Sequence, residues 1–403
     1  MSLYAIGFSR RFSKKKRNMK KLILLIACSL IFTVSDAQQA KKIKQLNGRS
    51  IPTAVLIARL NHILDSAKVT GLQLAIINHN KTVWSHSFGL KDVERQVPLN
   101  DSTVMYAASL TKVVFSYLFL RLVDQGGFDL DKPIHSYLKL PIAEYPKWKD
   151  LAEDTAAFNK ITPRMILSHS SGMPVLRSIY QNSPRLIAKP GEKFYYSNEG
   201  MNLLGFIVEE YTGKGLNVLA KEEVFTPLQM KYTSMIWEPE FEKNFSFAYF
   251  KDGKKYGSER RSSSRGAGSM TTTASDYARF IANLMNKKGL SKRCYEEMLS
   301  PQIRVLSQRG FGPKKDSLTT DNDQMNLSWG LGTGLFKSIQ GPAFFHTGQG
   351  EANQNYFVAF PNKGISVVLL SNSENFDGVS NAILEACIAD RYSPLAWLGH
   401  LDH

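Results

Sequence analysis

GLQLAIINHNKTVWSHSFG, residues 71–89, decides the fold. The apolar run Leu72–Ile77 leads into turn chemistry at Asn78-His79-Asn80-Lys81, and Thr82–Phe88 then alternates. That pattern predicts a strand, a tight turn and a second strand. Two such strands alone leave unpaired edges, so they need partners. The next runs of this kind come far down the chain: Phe344–His346, Asn355–Phe360 and Ile365–Leu370, the last two joined by the turn Pro361-Asn362-Lys363-Gly364. One sheet built from both ends of the chain satisfies every edge.

The rest of the pattern is helical. Upstream, Val55, Leu56, Leu60, Ile63 and Leu64 fall at helical spacing within Thr53–Ala67. Val113–Val123 is apolar and closed by Gly126-Gly127. Shorter helices are predicted at Ile161–Ser168, Asn202–Tyr211 and Ser275–Met285, and about Val379–Ala389 closes the chain. The predicted class is α+β: an antiparallel sheet of N- and C-terminal strands flanked by helices, with a mostly helical insert at roughly 113–265. Glycines at 330, 332 and 334 lack a phosphate-loop lysine and read as a bend in or beside a strand.

The chain has 403 residues, 43% hydrophobic and 21% charged, which excludes a disordered polar chain and a multi-span membrane protein. Its net charge of +16 points toward a polyanion or a membrane surface. Much of that charge is local. Arg10, Arg11, Lys14, Lys15, Lys16, Arg17, Lys20 and Lys21 precede an apolar run, Leu22–Val34, and then Ser35-Asp36-Ala37. Basic, apolar and small is the layout of a secretory signal peptide over 1–37, cut after about Ala37, with Met1 or Met19 as the start. An uncleaved anchor and lipid attachment at Cys28 are the alternatives. Cleavage leaves 366 residues at +9. The expected location is periplasmic or extracellular, with 38–50 as a polar, solvated leader and 51–403 as one domain. Cys294 and Cys387 read as two separate buried thiols.

Ser109-Leu110-Thr111-Lys112 stands at the front of the Val113–Val123 helix, and a spacing of three puts Ser109 and Lys112 on one face. A lysine whose pKa is lowered by burial can take a serine's proton. Tyr196-Ser197-Asn198 follows Pro190-Gly191-Glu192 in a loop. A phenol next to an ammonium can have its pKa lowered and shuttle a proton, and an asparagine suits a substrate amide. His346-Thr347-Gly348 ends a predicted strand, where glycine lets substrate approach the backbone.

In this order the three motifs resemble those of the penicillin-recognising serine hydrolases, in particular the class C β-lactamase and DD-peptidase branch. Gly71–Ile77, the Leu-Ser-His-Ser-Ser-Gly stretch at 167–172, Gly266–Met270 and Val367–Asn372 extend the likeness along most of the chain. The resemblance implies that Ser109 is acylated, that Lys112 assists its deprotonation and that Tyr196 shuttles the proton. Asn198 would bind the substrate amide, and the backbone N–H groups of Ser109 and Gln349 would form the oxyanion hole. His346, Thr347 and Gly348 would line the pocket edge and orient substrate. Many class C β-lactamases carry lysine where His346 stands, and a neutral histidine holds a carboxylate less firmly. His169 would be structural.

The expected function is an exported serine hydrolase acting by an acyl-enzyme on a β-lactam, a D-amino-acid peptide or an ester. The alternative is a penicillin-binding sensor or scaffold of the same fold without turnover. No metal or other cofactor is implied. The expected partner is a small-molecule or peptide substrate, with no nucleic acid, no membrane span after processing and a monomeric chain. Arg260–Arg265 reads as a solvated loop that could border the cleft.

Overall fold

Nine strands join the two ends of the chain in one sheet. The computed structural model describes residues 41–312 and 314–400. In chain order the strands are β1 (Gly71–Asn78), β2 (Lys81–Asp92), β3 (Val97–Pro98), β4 (Ile303–Arg304), β5 (Ser328–Trp329), β6 (Gly334–Ser338), β7 (Gly341–Gln349), β8 (Gln354–Phe360) and β9 (Ile365–Ser371). Their spatial order is β4-β5-β6-β7-β8-β9-β1-β2-β3, and every pairing is antiparallel. The predicted closure lies at β9 against β1, where Leu369 faces Leu74 and Val368 faces Ala75. The β1–β2 turn holds His79 at φ 52° and Asn80 at φ 56°, the left-handed pair that a tight hairpin requires.

Helices cover both faces. Leu72, Leu74, Ile76, Val367 and Leu369 pack with Leu56, Leu60 and Leu64 of α1 (Thr53–Ser66) and with the final long helix, Ser380–Ile388. Alternate residues Ala75, Ile77, Val368 and Leu370 turn the other way, toward Val114, Phe115 and Leu118 of α2 (Thr111–Asp124). A strand buried on both faces has no polar side, which is why β1 and β9 read as continuous apolar runs.

The excursion between β3 and β4 runs over residues 99–302 and also holds α3 (Asn198–Thr212), α4 (Ala274–Met285) and α5 (Lys292–Met298). It is wider than the expected 113–265, because α4 packs on β1, β2 and β9 before the chain re-enters the sheet. Gly332, at φ 83°, lies in the turn between β5 and β6, the bend expected there.

The solvated leader needs correction. Ile43 is fully buried and Leu46 is 5% exposed. The Lys44 N–H donates to Asn78 Oδ1 at 2.8 Å, and the Leu46 N–H donates to the Ile388 carbonyl at 2.9 Å. Lysines at 42 and 44 flank Ile43 on an exposed–buried–exposed strand, and their charge hid the alternation. Ile43–Ile51 and the chain from Val55 onward form one compact unit; of a second unit, only residues 41–42 and 52–54 are described. The expected signal segment 1–37, with Met19 and Cys28, lies outside the described residues. Among the described residues no helix is long and apolar enough to cross a membrane. Cys294 and Cys387 are free and buried, as expected.

Candidate active site

Ser109 sits in a single helical turn, Ala108–Leu110, that runs directly into α2. Ala108 holds φ 48°, a left-handed conformation that a residue with a Cβ rarely adopts. Thr111 pins the turn. Its hydroxyl donates to the Ala108 carbonyl at 2.6 Å and accepts from the N–H groups of Ser269 and Met270 at 3.2 and 3.1 Å. Thr111 was not singled out from sequence. Its signal was the Gly266–Met270 stretch, whose glycines permit the approach: a Cβ on Gly268 would lie 3.3 Å from the Ala108 carbonyl, and one on Gly266 3.0 Å from the Phe115 ring of α2.

Lys112 is fully buried. Its Nζ donates to Ser109 Oγ at 2.9 Å and to the Ala267 carbonyl at 2.7 Å. Burial holds its pKa well below the usual lysine value, and no charge partner offsets that. Tyr196 lies beside it, with Nζ 4.8 Å from the ring centroid. The expected lowering of the phenol's pKa is reversed: burial raises it, and only the Ser109 hydroxyl, which it faces, opposes the rise. Tyr196 is therefore a neutral phenol beside a lysine biased toward the neutral amine. Its Oη makes no hydrogen bond of good geometry within the protein.

His169 grips Tyr196 from both sides in sequence. The His169 carbonyl accepts from the Tyr195 N–H at 2.6 Å, and its Nδ1 accepts from the Ser197 N–H at 3.1 Å. The His169 and Tyr196 rings lie 4.3 Å apart. This is the structural role expected of it. Ser197 in turn caps α3 by accepting from the Gly200 N–H at 2.8 Å, which sets Asn198 at the helix start.

The third motif is placed differently from expectation. His346 is 0% exposed, so it does not line the pocket edge. Its Nδ1 lies 2.6 Å from the Thr347 carbonyl, and its ring packs 5.4 Å from Trp329 and 6.1 Å from Tyr196. Burial and the neighbouring Lys112 push its pKa down to about 3, so it is a neutral imidazole behind the site. Thr347 is also buried and donates to the Asn355 carbonyl at 3.2 Å. Gly348 serves the strand instead of the substrate: a Cβ there would lie 2.5 Å from the Ala107 carbonyl and 3.1 Å from Leu110. Only glycine lets β7 lie this close to the turn that carries Ser109.

A folded-state pKa below the unfolded one means that the unfolded chain binds more protons between about 3 and 6.5. His346 thus contributes less stability as pH falls through that window. Wild type should lose stability relative to His346→Gln between pH 6.5 and about 4 in urea unfolding. A difference independent of pH would refute the buried neutral ring.

Ser109, Asn198 and Gln349 meet at one cleft of about 500 Å³, with Tyr106 and Gly268 in its wall. Asn198 Oδ1 is buried there without a partner, an acceptor awaiting a donor. Arg261, Arg265, Glu259 and Glu351 also line it, so the basic loop does border the cleft. Arg261 is tied to Glu259 at 3.0 Å, while Arg265 and Glu351 form no ion pair among the described residues. Sequence offered no reason to place Glu351 or Tyr106 here.

The chain is 27% identical to the D-alanyl-D-alanine-carboxypeptidase/endopeptidase AmpH of Escherichia coli K12 over 236 residues, 55% of this chain and 59% of that protein. It is 25% identical to Protein flp of Staphylococcus aureus MW2 over 193 residues, 43% of this chain and 36% of that one. The chain thus spans less than two thirds of the length of these relatives. A solved octameric penicillin-binding protein homologue from Pyrococcus abyssi matches at TM-score 0.68 and 22% identity, over 83% of this chain and 76% of that one. The D-alanine carboxypeptidase AmpC from Burkholderia cenocepacia matches at 0.63 and 17%, over 80% and 94%. At such identities the likeness is one of fold. The family model described as Beta-lactamase matches residues 56–390, most of the length, and the chain belongs to that family.

Proposed function

We propose that this protein is a serine hydrolase that cleaves an amide or ester bond through an acyl-enzyme on Ser109. The observation that carries the reading is the 2.9 Å contact between Ser109 Oγ and the fully buried Lys112 Nζ. A lysine biased toward its neutral form can take the serine proton as Oγ attacks the carbonyl carbon. The developing oxyanion would be met by the backbone N–H groups of Ser109 and Gln349. As the bond to nitrogen or oxygen breaks, the neutral Tyr196 phenol passes a proton to the leaving group and is reprotonated from Lys112. Water then releases the acyl group over the same groups in reverse. Asn198 Oδ1 accepts from a substrate amide N–H.

The substrate we favour is peptide-like. Arg265 and Glu351 present both charges to the cleft, which suits a zwitterion better than an apolar ester. The buried His346 offers no cationic anchor for a carboxylate, so efficient cephalosporin hydrolysis is not expected. Export by residues 1–37, with action outside the cytoplasm, belongs to the same reading.

The test is labelling with a fluorescent fluorophosphonate and a fluorescent penicillin, followed by peptide mapping. The adduct should lie on Ser109, and protein recovered from the culture should begin at about Gln38. An adduct on another residue sinks the assignment. Turnover of a D-Ala-D-Ala peptide and a p-nitrophenyl ester should accompany labelling, and labelling without any turnover would leave a binding module.

A further inference from the structure

Strand β7 serves two places. Its last residue, Gln349, reaches the catalytic cleft, while its first residues, Pro342–Phe344, wall a separate cavity of about 440 Å³. Five residue-to-residue steps of strand take the chain from Phe344 to Gln349, roughly 17 Å of backbone. The volume falls within the range of about 300–1,000 Å³ common to small-molecule sites.

The cavity has an apolar wall and a basic rim. Tyr295 and Leu299, from α5 and just beyond it, face Leu335 of β6 and Phe344 of β7. Three cations line it, Lys287, Arg304 and Lys337, and no carboxylate does. Asp323 engages Arg304 at 2.7 Å. Lys287 and Lys337 are exposed and form no ion pair among the described residues. Lys287 Nζ instead lies 5.3 Å from the Tyr295 ring centroid, which keeps its charge at the mouth of the apolar wall.

A second observation points to a ligand. Ser328 lines the cavity and is 3% exposed, yet its hydroxyl has no hydrogen-bond partner. Buried hydroxyls are rarely left unpaired. Register fixes its neighbours: Ser328 pairs with Leu335, and Leu335 pairs with Phe344. Lys337 stands two residues beyond Leu335, so the hydroxyl, the ammonium and the two apolar side chains share one face of the sheet.

We infer that this cavity binds a medium-chain aliphatic carboxylate. The chain lies along Tyr295, Leu299, Leu335 and Phe344. The carboxylate accepts from the Ser328 hydroxyl and from Lys337, with Lys287 closing the rim. An uncharged chain would leave two ammonium groups unanswered, and a short anion would leave the apolar wall wet. The site is independent of the chemistry at Ser109.

Equilibrium dialysis of dodecanoate against the full-chain protein tests this. One saturable site is expected, with affinity rising about fourfold per methylene from octanoate to dodecanoate. Dodecanol should bind at least about tenfold more weakly, since it lacks the charge-assisted bonds. The double variant Lys287→Glu/Lys337→Glu, at two exposed positions, should weaken dodecanoate by about tenfold or more. Ser328→Ala should weaken it several-fold. Protein already labelled at Ser109 should bind as untreated protein does. Dodecanol binding as tightly as dodecanoate, wild-type affinity in the double variant, loss of binding on labelling, or no saturable binding at millimolar ligand would each overturn the inference.

Discussion

Lys112→Met should lower the rate of the proposed Ser109 acylation by about 10²–10⁴-fold, the usual range for loss of a general base. Stopped-flow labelling with a fluorophosphonate measures it. Methionine keeps the unbranched apolar body of the side chain and ends one atom short of Nζ, so most of the space stays filled. The variant loses two hydrogen bonds, to Ser109 Oγ and to the Ala267 carbonyl, at about 1 kcal/mol each. It also removes a buried amine whose desolvation no charge partner offsets. Stability at pH 7 should therefore hold or rise while activity collapses. A lysine that merely supported the fold would show the opposite: activity and stability would fall together. The pH dependence adds a second readout. Lys112's folded pKa lies below 10.5, so between the two values the unfolded chain holds a proton that the folded chain lacks. The stability contributed by this group rises with pH across that window. Acylation should likewise rise with pH through the folded value. Lys112→Met should lose both slopes. A wild-type acylation rate in the variant would end the proposal that Lys112 is the base.

What could be read from sequence was local, or repeated with a clear period. Ser109 and Lys112 are one helical turn apart, so their contact followed from spacing alone. Strands β1 and β9 announced themselves by apolar runs bounded by turn residues. What sequence hid was set by packing at long range. The second acceptor of Lys112 is the carbonyl of Ala267, 155 positions away, and a backbone oxygen leaves no mark in a sequence. His346 was expected at the pocket edge because a motif orders residues without saying how deep each side chain lies. In β7 it is fully buried, with its ring 5.4 Å from that of Trp329. Tyr196 was expected to be acidified by its neighbour, but burial governs both groups and moves their pKa values in opposite directions. The reading of 38–50 as solvent-exposed failed at Ile43, Gln45 and Leu46, set among Lys41, Lys42 and Lys44.

Gly348→Ala separates the two meanings that a glycine in this motif can have. If glycine serves only substrate approach, the added methyl points into an open cleft, raises KM and leaves the fold alone. The structure gives it a different neighbour, because the new Cβ would lie 2.5 Å from the Ala107 carbonyl and 3.1 Å from Leu110. Both belong to the turn that carries Ser109, and a backbone carbonyl cannot swing aside as a long side chain can. Either β7 moves away or the turn does. Overpacking of this kind costs about 1–3 kcal/mol, and a displacement of about 1 Å at a nucleophile costs about 10²-fold in rate. The expected result is a loss of about 10²-fold in kcat, with a lower urea midpoint and a modest change in KM. Asn355 makes the coupling tighter: its Nδ2 donates to the carbonyls of both Tyr106 and Gly348, at 3.1 and 3.0 Å, so strand and turn move as one piece. A variant with wild-type kcat and a raised KM would return Gly348 to the substrate's side of the site.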